Sequence, residues 1–171
     1  MKISDLNSNE YHAYFQTYMD KVNDLPLLDL LIIGKLETIN FFKNIPTSKL
    51  EYRYKENKWT IKEILIHIID TERVFNYRAL QFARSKNPNL EGFDENEFVL
   101  NADLNTRTID SILQEYSIVR DASIVLFENF SEDSLKRIGK ANHNSLSVRA
   151  AGFLICGHET HHMQIIQERY L

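Results

Sequence analysis

The stretch from Thr60 to Ile69 constrains the fold more than any other part of the chain. Ile61, Ile64, Leu65, Ile66, Ile68 and Ile69 leave the first two turns of a helix apolar nearly all the way round, so that helix must be covered by neighbours on most sides. Its start is marked by Thr60 with Glu63 three residues on, a capping box in which each side chain satisfies the other's free backbone amide. A helix that needs cover on several sides belongs at the centre of a bundle. His67 lies inside it.

Three further stretches carry a helical apolar period. One runs from about Pro26 to Asn44, with Pro26 suited to a first turn and Pro46 marking the exit. Another runs from about Thr108 to Asn129 and places Ile109, Ile112, Leu113, Tyr116, Val119, Ser123, Leu126, Phe127 and Phe130 on one broad face. The last begins near Ser147, a good N-cap before Val148, and continues almost to Leu171. Ahead of them Tyr11, Tyr14, Phe15, Tyr18, Met19 and Val22 recur at three- and four-residue steps in a shorter amphipathic piece. Only five glycines and three prolines are available for tight turns, which disfavours an all-β fold. The reading is all-α: a four-helix bundle with long connections and an extra short N-terminal helix, forming one domain over residues 1–171. The connections, at about 45–58, 87–106 and 131–146, are each able to cross the ~30 Å length of a 20-residue helix, so crossovers are open.

The charge pattern excludes some partners. A formal net charge of -4, with 20 Lys and Arg scattered along the chain, lacks the basic footprint of a nucleic-acid binder. The longest apolar run, Leu27 to Ile33, is interrupted by Asp29 and far shorter than the ~20 residues a bilayer demands; with no apolar signal segment in MKISDLNSNE, a cytoplasmic location is the default expectation. The single cysteine, Cys156, reads as a small buried apolar residue.

Chemistry concentrates in the histidines. Of six, three fall in GHETHH at residues 157–162 and one in ILIHII at 64–69, while His12 and His143 have polar surroundings. The inward stripe of the last helix reads Ala151, Ile155, His158, His162, Ile165 or Ile166, Arg169, so His158 and His162 stack four apart where core residues belong. His161 falls about 100° away, toward another neighbour or solvent. Two imidazoles at that spacing can reach one metal ion with bonds of about 2.0–2.1 Å. The alternative, isolated core histidines bonded to backbone, is the better reading of any one histidine alone. For a stacked pair it carries the cost of burying two polar rings, which a shared cation removes.

Residues 158–162 also spell His-Glu-x-x-His, which invites a metalloprotease reading with Glu159 as base. The extended motif fails, because Ile165 and Glu168 stand where Gly and His are required, and only nine residues follow His162. A third ligand must therefore come from upstream, and His67 is the one histidine on another apolar helix. Glu159 and Asp70, with Glu63, are candidates to hold an imidazole tautomer or accept a proton from an activated water; solvated helix faces are their other reading. Arg78, Arg84 and Arg149 are candidate anion binders, with salt bridges as the commoner use. Trp59 reads as a packing anchor.

The segments KWTIKEILIHIIDTERVFNYRALQFAR and LSVRAAGFLICGHETHHMQIIQERYL, together with NEYHAYFQTYM and PNLEGFDENEFV, resemble the DinB/YfiT-like family of metal-dependent enzymes over nearly the whole chain. Its most specific elements are Trp-Thr-x-x-Glu-x-x-x-His at the start of the second helix and Gly-His-Glu-x-His-His near the end. The resemblance implies a four-helix bundle, commonly homodimeric, with zinc, nickel or a related ion held by His67, His158 and His162. It does not imply one reaction, since some relatives resemble thiol S-transferases or isomerases.

Two functions follow as expectations. In the first, the chain is a metal-dependent enzyme that activates a thiol or water against a small electrophilic substrate, with three imidazoles leaving a coordination position open. In the second, it is a non-catalytic helical binding module whose metal site is structural or empty, with an apolar pocket lined by the loop from Phe93 to Phe98.

Overall fold

The computed structural model describes residues 1–171. Seven helices form: α1 Gln16–Met19, α2 Leu27–Lys43, α3 Ile61–Arg84, α4 Glu95–Leu100, α5 Ile109–Glu128, α6 Glu132–Leu135 and α7 Val148–Arg169. The long four, α2, α3, α5 and α7, are those the apolar periods mark. Their starts are set by capping chemistry. In α3 the Glu63 amide donates to Thr60 Oγ1 at 3.2 Å and the Thr60 amide donates to Glu63 Oε2 at 2.6 Å, completing the box. Thr108 caps α5 and Ser147 caps α7 through their hydroxyls, and α2 starts directly after Pro26.

The four long helices close a ring in which α3 packs on α7 and α5, and α2 packs on α5 and α7. Helices α2 and α3, consecutive in sequence, thus face each other across the bundle, as do α5 and α7. The long connections make this order possible. Every residue of α3 from Ile64 to Ile69 is buried, which answers the need for cover on all sides.

Helix α7 departs from the expected single stripe. All residues from Val148 to Glu159 are buried, because α2, α3 and α1 surround its first half. Only the second half is one-sided: Ile166 is fully buried, whereas Arg169, placed on the inward stripe by periodicity, is exposed. The inward side of the last turn is taken by Ile166 and Tyr170, four apart and both buried, so Arg169 falls beside it and donates to the Tyr54 hydroxyl. At Gly157 a Cβ would collide with the Tyr18 carbonyl oxygen, so glycine lets α1 lie flush against α7. The N-terminal piece is accordingly one helical turn, buried through Met19.

One element escaped helical periodicity. The connections carry a small three-stranded sheet of β1 Asn89–Leu90, β2 Ile138–Ala141 and β3 Asn144–Ser147, in the order β1-β2-β3. Strand β2 runs parallel to β1 and antiparallel to β3. The β2–β3 turn is Asn142-His143, both in the left-handed region at φ 48° and 64°, the twist that a two-residue hairpin favours. His143 thus has a turn role. The fold remains a helical bundle, with the sheet confined to its connections.

Candidate metal centre

Helices α3 and α7 bring three imidazoles to one point. His67 Nε2 lies 3.0 Å from His158 Nε2, and His162 Nε2 lies 3.1 Å from the same atom. One ligand atom from each of the three residues falls within 4.8 Å of the others. Ring centroids are 4.8, 4.8 and 4.5 Å apart for the pairs 67–158, 67–162 and 158–162, a nearly regular triangle.

Such convergence suits a cation. A neutral imidazole nitrogen offers one hydrogen or one lone pair, so His158 Nε2 cannot answer two facing nitrogens of the same kind as a hydrogen-bond partner. Three lone pairs aimed at a common ion satisfy all of them. Two nitrogens bonded to one tetrahedral ion at about 2.05 Å lie roughly 3.3 Å apart, within a few tenths of an ångström of these separations.

The rings are held in the neutral form that ligation needs. Burial pushes His67 down to about 4. Burial, followed by the charges of the neighbouring histidines, takes His158 and His162 well below the ordinary imidazole value. Trp59 stacks on His67 with centroids 4.6 Å apart, and Tyr18 covers His158 at 5.5 Å. Thr71 Oγ1, 3.5 Å from His67 Nδ1, is the polar group nearest that nitrogen's side of the ring. His161 leaves the cluster and packs edge-on against Tyr18, centroids 5.1 Å apart.

None of the three carboxylates singled out beside these histidines bonds to an imidazole. Glu159 is engaged elsewhere. Its Oε1 accepts from Arg120 Nη1 at 3.1 Å, and its Oε2 accepts from Arg120 Nη2 at 2.8 Å and from Tyr116 at 2.6 Å. One helical position turns it from His158's face onto α5 and Gly34 of α2. Asp70 accepts from Arg73 at 3.1 Å, and burial raises its pKa against the lowering effect of that arginine. Glu63 is bound by the cap and by Arg53.

Sequence reading missed the group that holds the two histidine-bearing helices together. Arg120 of α5, fully buried, donates to Glu72 of α3 through Nε at 2.8 Å and Nη2 at 2.9 Å, as well as to Glu159 of α7. Tyr116 and Ser123 complete the network. Arg120 follows Tyr116 by four residues, and Glu72 falls on the buried side of α3. Charged residues at core positions of three helices were therefore a legible signal, hidden because each looks surface-like alone.

Two cavities reach the cluster. One, of about 320 Å³, touches His158 and is walled by Tyr18, Thr71, Phe75, Arg78 and Phe93. The other, of about 290 Å³, touches His162 between Trp59, Tyr54 and Tyr170. Of the segment read as an aromatic loop, Phe93 lines a pocket, whereas Phe98 lies within helix α4, where it is exposed and packs on Phe93. Of the candidate anion binders, Arg149 is paired with Glu10, Arg84 is exposed, and Arg78 faces the first cavity.

Four long helices with a three-histidine cluster between two of them define a helical-bundle protein with a site whose geometry fits a metal ion. The chain belongs to the DinB superfamily, whose sequence profile matches residues 37–166. Among solved structures it is similar to YfiT from Bacillus subtilis, described as a probable metal-dependent hydrolase with an unusual four-helix bundle topology. That likeness has a TM-score of 0.75 at 17% identity and covers 83% of this chain and 82% of the other, so it speaks for the fold. No curated protein matches the sequence. No helix is long and apolar enough to cross a membrane.

Proposed function

We propose that the chain is a metal-dependent enzyme in which His67, His158 and His162 hold one divalent ion, zinc or nickel, for reaction of water or a small thiol with a small electrophilic substrate. The observation that carries this reading is the meeting of three Nε2 atoms from two helices, with no carboxylate among them. When bound, the ion supplies Lewis acidity, lowering the pKa of a water or thiol toward neutrality.

The chain's own residues do the rest. Three neutral imidazoles would hold an ion without diminishing its charge and would leave a coordination position free, as in catalytic sites. Trp59 and Tyr18 shield the rings from bulk water, which strengthens electrostatic effects inside. Cavities on two sides, one at His158 and one at His162, suit a reaction of two partners better than a closed structural site. YfiT's description as a probable metal-dependent hydrolase agrees with the water branch.

Metal analysis of purified protein tests the reading, with about one zinc or nickel per chain expected. Less than about 0.2 ion per chain, unchanged on adding either metal, sinks it. In cobalt-substituted protein a small thiol or azide should alter the visible spectrum. A spectrum indifferent to both would favour the non-catalytic binding module instead.

A further inference from the structure

Arg78 is a buried cation without a counter-ion. It is only 6% exposed, yet it enters no ion pair or hydrogen bond within the chain. Its neighbours are the rings of Phe75 and Phe93, with the guanidinium carbon 5.4 and 5.8 Å from their centroids, within cation–π range. The other two buried arginines differ: Arg120 binds Glu72 and Glu159, and Arg149 binds Glu10. With no counter-ion from the chain, its fork is free to pair with an anion that enters the cavity it lines. No nitrogen of Arg78 is both sealed from solvent and unpartnered, a state found only at Asn76 Oδ1. The fork therefore opens to the cavity.

The placement of Arg78 connects it with the histidines. His67, Thr71, Phe75 and Arg78 follow one another along α3 at steps of four, four and three, which puts them on one face. Thr71, Phe75 and Arg78 line the cavity that touches His158. From His67 to Arg78 the helix rises about 16 Å, and a helical side chain leans back toward the N-terminus. One cavity touches both Arg78 and His158, with Phe75, Phe93 and Leu154 as apolar lining and Asn142 and Asn144 as polar lining. Glu95 and His12 also border it, and neither pairs with Arg78. Desolvation lowers the pKa of Arg78, but a guanidinium remains charged.

We infer that Arg78 anchors a carboxylate or phosphate on the small molecule that the histidine centre acts on, so the substrate is an anion with an apolar middle. A guanidinium fork matches both groups through paired hydrogen bonds. The inference rests on the metal-dependent reading for the word substrate; anion binding by Arg78 can be tested apart from it.

The test is calorimetric titration of benzoate, phenylphosphonate and neutral benzamide into wild type and Arg78→Gln. It is run on metal-free protein, where no ion competes for the anion, and again after zinc loading. Metal-free wild type should bind one or both anions about tenfold more tightly than the variant, the loss of a charge-assisted hydrogen bond. Benzamide should bind the two alike, and both proteins should take up the same amount of zinc. In wild type, the Arg78 Nε–H resonance should shift with the anion and not with benzamide, a readout that holds even if the variant fails to fold. Equal anion affinity in wild type and variant, no preference over benzamide, or an unmoved Arg78 resonance overturns the inference. Absence of zinc uptake with Arg78-dependent anion binding intact would instead remove the metal-centre reading alone.

Discussion

His158 is the middle member of the histidine trio, 3.0 Å from one neighbour and 3.1 Å from the other. Replacing it with alanine removes the donor both others face, and His158→Ala should lower bound zinc from about one ion to near zero per chain by elemental analysis. His161→Ala is the control, since that ring packs on Tyr18 outside the cluster; it should retain the metal. Glu159 and His158 are adjacent in sequence yet serve different centres. Glu159→Gln should leave metal content unchanged while weakening the bonds to buried Arg120, at a cost of about 2 kcal/mol. Thermal melting should show this as a fall of roughly 6 °C. Loss of metal with an unchanged melting temperature would contradict the placement of Glu159.

At the scale of elements, the site depends on two helices keeping their register. Arg120 ties α3 to α7 from α5, with side-chain exposures of 0%, 1% and 2% for Arg120, Glu72 and Glu159. Arg120→Met would leave two buried carboxylates without their cation, and a loss of about 3–5 kcal/mol is expected in urea unfolding. The cap of α3 contributes less: Thr60→Ala removes one hydroxyl acceptor, and about 1 kcal/mol should be lost. A loss for Arg120→Met no greater than for Thr60→Ala would show that the buried network does not hold the helices. The hairpin of β2 and β3 is an element of another kind, fixed by a turn with two left-handed residues. Its strands are four residues each, too short to stand out from the connection around them.

For the whole molecule, stability should depend on pH and metal together. The unfolded chain protonates its histidines near 6.5, while burial holds His67 neutral down to about 4 and takes His158 and His162 well below the ordinary value. Between those values the unfolded state binds more protons, so stability falls as pH drops through that window. Metal-free protein should therefore melt at lower temperature near pH 5 than at pH 7.5. Zinc at about a thousand times its dissociation constant should add roughly 4 kcal/mol at neutral pH and little near pH 4.5, where protons compete for the imidazoles. A melting temperature indifferent to zinc at pH 7.5 would contradict a metal centre. The family resemblance also implies a homodimer, and we propose that state for this chain. Ile32, Ile33 and Leu36 on α2 and Ile118 and Val125 on α5 are exposed, and light scattering should give twice the chain mass.

Local interactions determined much of this protein directly. The four long helices, their caps and the pairing of His158 with His162 depend on spacings of three and four residues, which any helix of this sequence would present. Tertiary structure decided the rest. His67 is 91 residues from His158, and the order of helices round the bundle brought it near; the sequence marked it only as a histidine on an apolar helix. The same packing sent Glu159 to Arg120, put Tyr170 in place of Arg169 on the inward side of α7's end and left Arg78 without a partner. Whether a charged side chain finds a partner, a cavity or water depends on which helix lies beside it, and that contact is absent from any local pattern.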